Sequence, residues 1–243
     1  MNRAHRWLCQ SAIWRRALET SILPWALDGV GLGRSVLELG PGPGLTTDLL
    51  RTRVAHLTAL EIDPRMADAL RHRLERTNVR VVQGDAADMP FDDDTFSAVV
   101  SLTMLHHVPS VRLQDQLLAE AHRVLEPGGV FVGTDNTWSP AFGLLHLGDV
   151  MVPVDPETFT ARLEAVGFRG VCVDRTKGRF RFQARKVKLE AILPPNPSVR
   201  VQRMKHTVAR SRVTASLPNG KENKRRHQQR VHISTLCYVD LSC

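Results

Sequence analysis

The chain has 243 residues, 42% of them hydrophobic and 24% charged, with a formal net charge of +8. That balance excludes a chain disordered throughout, because it supplies ample apolar material for a core, and no apolar run approaches the roughly 18 to 20 residues of a membrane span. The charge does not describe a basic body: residues 1–187 carry 22 Lys and Arg against 22 Asp and Glu, so the whole excess lies in residues 188–243.

Residues 3–16 are basic, as in an organelle transit peptide, yet the spacing of Trp7, Ile13, Trp14 and Leu18 predicts a packed amphipathic helix instead. It forms part of a helical cap over residues 1–30. From Ser35 onward short apolar strands alternate with helical patterns. Strands are expected at 35–39, 56–61, 79–83, 96–102 and 130–134, and helices at 44–54, from Pro64, and at 111–125 with Leu113, Leu117, Leu118, Ala121 and Leu125 on one face. Glu126-Pro127-Gly128-Gly129 ends the last of these. After a long connection, a helix at 156–166 leads to strands at 168–174 and 180–186, joined through Lys177-Gly178 as a hairpin. This order predicts an α/β fold: a Rossmann-like, doubly wound, mostly parallel seven-stranded sheet closed by a C-terminal antiparallel hairpin.

Residues 1–187 are read as one domain and residues 188–243 as a basic tail without a fixed fold, broken by Pro194, Pro195 and Pro197. Cys9, Cys172, Cys237 and Cys243 are scattered and lack C-x-x-C pairing, so free thiols are expected. With no signal-peptide pattern at the start, the expected compartment is the cytoplasm. No cluster of metal ligands is evident.

The strand Val36-Leu37-Glu38-Leu39 runs directly into Gly40-Pro41-Gly42-Pro43-Gly44 and then a helix, the order a nucleotide-type loop requires. Glycines let the backbone turn sharply and approach a ligand where a Cβ would collide. Glu61 ends the second strand at the distance where a carboxylate can accept hydrogen bonds from a ribose diol, with Asp63 as a neighbouring alternative or a helix cap. Glu38, a charge inside an apolar strand, needs a partner.

Glu38-Leu39-Gly40-Pro41-Gly42-Pro43-Gly44 resembles the first motif of class I S-adenosylmethionine-dependent methyltransferases, an acidic residue followed by G-x-G-x-G. The resemblance continues in order through Glu61, Gly84-Asp85-Ala86, Leu102 to His107, and Leu125 to Gly129. Residues 91–99 look like the small-molecule subgroup that includes the ubiquinone and menaquinone biosynthesis methyltransferases. The resemblance implies S-adenosyl-L-methionine as cofactor, held by Glu38, Gly40, Gly42, Gly44, Glu61, Asp85, Ala86 and Leu102. In it, Glu38 neutralises the ammonium and Asp85 with a backbone amide holds the adenine.

His106 and His107 lie near where the donor methyl is expected, and either serves as a candidate general base or simply packs there. The chain lacks the Asn/Asp-Pro-Pro-Tyr run of amino-directed nucleic-acid methyltransferases and the Pro-Cys nucleophile of cytosine C5 enzymes. The expected reaction is therefore methyl transfer to a small, lipophilic acceptor at O, N or C, and a nucleic-acid acceptor is disfavoured. The alternatives are a non-catalytic S-adenosylmethionine-binding regulator and a nucleic-acid-associated methyltransferase using the tail. A lid over the acceptor is expected from Trp7, Trp14 and Trp25, and from residues 136–155 with Trp138, Phe142, Leu144, Leu145 and His146.

Overall fold

A computed structural model describes residues 11–188. The expected tail falls outside the described residues except for Lys188, as do Trp7, Cys9, Cys237 and Cys243. The N-terminal segment is helix α1 (Ala12–Ala17), a π-helical turn (Leu18–Ile22) and helix α2 (Leu23–Ala26). Ser11 caps α1 by accepting from the Trp14 N–H at 3.1 Å. Pro24 has no N–H to continue the ladder, and the Leu23 N–H instead reaches back five residues to the Leu18 carbonyl. Leu18, Ile22, Leu23 and Ala26 are buried as an amphipathic face requires, but Ile13 is 78% exposed and does not pack as expected.

Strands β1 (Ser35–Leu39), β2 (His56–Glu61), β3 (Val79–Gln83), β4 (Phe96–Leu102), β5 (Leu125–Asn136), β6 (Arg169–Thr176) and β7 (Arg179–Arg185) form one sheet in the order β3-β2-β1-β4-β5-β7-β6. β1, β2, β3, β4 and β5 pair in parallel, whereas β7 is antiparallel to both β5 and β6. Helices α3 (Leu45–Leu50), α4 (Pro64–Arg73), α5 (Val111–Val124), α6 (Pro140–Leu145) and α7 (Pro156–Ala165) complete the layers.

The pleat sorts side chains to two faces. Leu37, Leu39, Val99 and Phe131 join a core with Leu117, Leu118 and Ala121 of α5 and Phe159 and Leu163 of α7. Val36, Ala98, Val100, Val130 and Val132 join a second core with Leu23, Ala26 and Leu50. Burial on both faces explains why β1 reads as an almost unbroken apolar run, with Glu38 as its one interruption.

Some boundaries and one cysteine differ from expectation. α3 stops at Leu50 because the Asn78 side-chain amide donates to the carbonyls of Arg51 and Val54, each at 2.9 Å, and takes over the end of the helix. β5 begins at Leu125, with the Glu126-Pro127-Gly128-Gly129 segment bulged out of the ladder between the Phe96↔Leu125 and Ala98↔Val130 pairs. Cys172, half-buried on edge strand β6, is disulfide-bonded rather than a free thiol. None of the described helices is long and apolar enough to cross a membrane.

Candidate functional site

In a sheet of this order the chain reverses its direction of growth between β1 and β4, and ligands bind outside the carboxyl ends of the strands there. A cavity of about 600 Å³ occupies this position. Its two ends differ in chemistry.

The first end is built by the glycine loop after β1. The Gly40 N–H donates to the Leu60 carbonyl at 2.9 Å, fastening the loop to β2, and the Gly44 N–H closes it on the Pro41 carbonyl at 2.9 Å. Gly40 has a φ of 60°, and a Cβ there would come within 2.3 Å of Met104 Cγ. Gly42 also has a positive φ, 54°, but a Cβ there would meet nothing within 4 Å. The space above Gly42 is cavity, so the loop offers bare backbone to whatever enters. From α4, Arg73 donates to the carbonyls of Pro43 and Gly44 and to both oxygens of Asp48, which clamps the loop from behind.

Glu61, at the end of β2, is only 5% exposed yet lines the cavity. It accepts from the Gly42 N–H at 2.9 Å and the Asp63 N–H at 3.0 Å, leaving lone pairs for a further donor. Asp63 caps α4 by accepting from the Arg65 and Met66 amides, which settles one of its two expected uses, although it also borders the cavity. Asp85 and Ala86 line the wall after β3; Asp85 accepts from the Ala87 N–H at 2.9 Å in a turn. Leu102 lines the floor.

Two of the expected cofactor residues are not on the wall. Gly44 serves as the N-cap position of α3, where Leu70 and Arg73 pack against it. Glu38 lies behind the loop, 1% exposed. It accepts from the Thr46 hydroxyl through one oxygen, while Oε2 is buried without a hydrogen-bond partner. Burial raises its carboxyl to about 7, against the lowering effect of the Thr46 and Thr47 hydroxyls.

The other end gathers imidazoles. His106 is 1% exposed; its Nδ1 lies 2.5 Å from Asp135 Oδ1, and its backbone N–H donates to Asp135 Oδ2 at 3.0 Å. Its Nε2 is buried without a hydrogen-bond partner. His107 Nδ1 lies 3.3 Å from the Val150 carbonyl, and His146 Nδ1 lies 2.8 Å from the Phe142 carbonyl. Burial pushes His146 below the usual imidazole range. Phe142 packs edge-on against His106, with centroids 5.0 Å apart. Arg179, at the start of β7, also lines this cavity and is held below its ordinary range by burial.

Of the lid residues, Trp14, Phe142, Leu145 and His146 line the cavity. Trp138 and Leu144 instead stand 61% and 73% exposed, and Trp25 packs under the guanidinium of Arg181 at 5.5 Å. Helical spacing in α6 explains Leu144, because only one side of so short a helix can face inward, whereas Trp138 precedes the helix. Asp135 was not anticipated, although the signal was present: a carboxylate inside the apolar run of β5, the same pattern that singles out Glu38. The sequence shows no metal-ligand cluster by spacing, whereas among the described residues one ring nitrogen from each of His106, His107 and His146 lies within 4.8 Å of the others. His146 lies too far along the sequence for spacing to reveal the cluster.

The sheet order, the glycine loop after β1 and the acidic end of β2 define a Rossmann-like methyltransferase fold. Residues 37–133 match the family model described as a methyltransferase domain. A demethylmenaquinone methyltransferase of Tropheryma whipplei is 33% identical over 123 residues, 51% of this chain and 48% of that protein. A fatty-acid O-methyltransferase of Mycolicibacterium smegmatis is 40% identical over 105 residues, 42% of this chain and 37% of the relative. The chain thus spans about half or less of the length of these relatives. Among solved structures, a chain from the complex of the Haloferax volcanii Trm112 activator with a methyltransferase superposes with a TM-score of 0.62 at 18% identity, covering 77% of this chain and 99% of that one. Haemonchus contortus phosphoethanolamine N-methyltransferase 2, solved with S-adenosyl-L-methionine, also gives 0.62, at 16% identity over 76% of this chain and 56% of its own. At these identities the likeness is one of fold.

Proposed function

We propose that the chain transfers the methyl group of S-adenosylmethionine to a small, lipophilic acceptor at oxygen, nitrogen or carbon. The observation that carries this reading is a single cavity with carboxylates and bare glycine backbone at one end and imidazoles among apolar side chains at the other. The first end fits the cofactor. The remaining lone pairs of Glu61 suit a ribose diol, the space above Gly42 leaves room for the ligand, and Glu38, its Oε2 buried and unpartnered behind the loop, suits an ammonium by its charge and not by contact from the wall. The acceptor's lipophilic character is supported by Trp14, Phe142, Leu145 and Val150 along the wall and by two relatives named for acting on a demethylmenaquinone and a fatty acid.

The bound cofactor supplies an already activated methyl, so the protein has to align the acceptor, exclude water and, for a protonated acceptor, remove a proton. His106 is the base in this reading. Asp135 accepts only, which keeps the proton of His106 on Nδ1 and leaves Nε2 as a lone pair in the cavity wall. Asp135 is thus a positioning residue, and His107 is the second imidazole within reach of the acceptor.

Calorimetry with S-adenosylmethionine and S-adenosylhomocysteine tests the cofactor end. Micromolar binding by the wild type, weakened in Gly42→Val and Glu61→Ala, is expected, followed by turnover in a screen of lipophilic hydroxyl, amine and carbon acceptors. No binding by the folded wild type would sink the reading; binding with no turnover across the screen would favour a non-catalytic holder of the cofactor.

A further inference from the structure

Three histidines meet at the acceptor end of the cavity, brought by two separate segments: His106 and His107 by the turn after β4, and His146 by the end of α6. In each ring Nδ1 faces an oxygen: Asp135 Oδ1 for His106, the Val150 carbonyl for His107 and the Phe142 carbonyl for His146. Carbonyl and carboxylate oxygens only accept, so each Nδ1 carries the hydrogen. A ring whose Nδ1 carries the hydrogen has, in its neutral form, its lone pair on Nε2. This matches histidine metal sites, where the nitrogen that does not bind the ion donates to a carboxylate or backbone carbonyl and so fixes ring and tautomer.

Resting on the placement of the acceptor at this end, we propose that His106, His107 and His146 form a binding site for one divalent transition ion of the zinc class. Three imidazoles with an open fourth position are the ligand set of catalytic rather than structural zinc sites. Nitrogens at about 2.0 to 2.1 Å from a tetrahedral ion stand about 3.4 Å apart, so ring nitrogens within 4.8 Å of one another would draw together on binding one. His106 supplies a second, independent observation, since its Nε2 is almost fully buried, lies at the cavity and has no hydrogen-bond partner. Imidazole and carboxylate orientation favour zinc, cobalt, nickel or copper over magnesium or calcium, which take oxygen ligands. With an ion in place, His106 Nε2 coordinates it instead of taking a proton, and the open position faces the acceptor. An acceptor hydroxyl bound there would give up its proton to a solvent water more easily, because the cation would stabilise the oxyanion left behind.

The test is direct metal binding by the full chain, stripped with a chelator and titrated with Co²⁺ for its visible ligand-field absorption and with Zn²⁺ against a chromophoric chelator. One equivalent per chain is expected. Asp135→Asn should weaken binding about 10 to 100-fold by loosening His106, and His146→Ala and His107→Ala should weaken it at least as much. Thermal unfolding identifies variants that fail to fold, and His146→Ala, which leaves the Asp135–His106 hydrogen bond in place, remains informative if Asp135→Asn does. The proposal is overturned if the wild type takes up no saturating ion, or if uptake is unchanged in both His107→Ala and His146→Ala, which would place it on other histidines such as His206, His227 and His232. Calorimetry with S-adenosylmethionine on the same preparations separates the two readings: cofactor binding without metal binding overturns the ion site and leaves the methyltransferase reading standing.

Discussion

Glu38 is the residue at which stability and ligand binding oppose each other. Its carboxyl is raised from 4.5 to about 7 by burial, so between those values the folded state holds a proton that the unfolded state has lost. Stability therefore falls as pH rises through that window and levels off above it, a loss of about 3 kcal/mol. Glu38→Gln should remove most of this decline, seen as a flatter dependence of the unfolding midpoint on pH, while weakening binding of a cofactor with an ammonium. In the wild type, cofactor affinity should rise with pH through about 7, because the ionised carboxylate attracts the cation; a flat profile between pH 6 and 8 would argue against electrostatic coupling of the two. Gly40→Ala should be damaging for a different reason. The added methyl meets Met104 and the positive φ strains it, so loss of stability should accompany loss of binding.

The elements divide the labour of the site, and α6 shows why a list of lid residues read from sequence is only partly useful. Phe142 and Leu145 turn inward while Trp138 and Leu144 face solvent, although all four are apolar and close in sequence. Phe142→Ala should raise the Michaelis constant for a verified acceptor by about tenfold, as expected from losing 1 to 3 kcal/mol of apolar contact. Trp138→Ala should leave it within about twofold. Steady-state kinetics on the two variants, with cofactor saturating, distinguishes these outcomes. What was legible beforehand followed from periodicity and loop chemistry: the strands through β4 were placed to the residue, and Gly40, Gly42, Glu61, Asp85, Ala86, Leu102, His106 and His107 do share one cavity. What was not legible depends on packing across the chain. Asp135 is identified by the imidazole above it, Gly44 by the leucine and arginine of α4 that close on it, and His146 by a helix whose orientation no local pattern fixes.

At the level of the whole molecule, the charge is distributed so that residues 1–187 are balanced and residues 188–243 carry the excess. If the reaction belongs to the body alone, deleting residues 189–243 should leave kcat/KM for a small acceptor within about twofold. Any association of the full chain with duplex DNA or RNA should fall steeply with salt and vanish on the same deletion. Loss of turnover in the shortened chain would instead give the tail a part in the chemistry. Cofactor at 100 times its dissociation constant should stabilise the body by about 2.7 kcal/mol, measurable as a raised unfolding midpoint.

The position of β7 has a consequence for how the chain is made. It is the last strand in sequence but lies inside the sheet, pairing with β5 through residues 130–136 on one side and with β6 on the other. On a ribosome the inner edge of β5 emerges several tens of residues before its partner, an interval of several seconds at about 5 to 20 residues per second. For that time the nascent sheet ends in the open backbone of Val130, Phe131 and Val132, all deeply buried in the finished protein. A message cut short before Arg179 therefore yields a product with a sticky edge rather than a smaller enzyme.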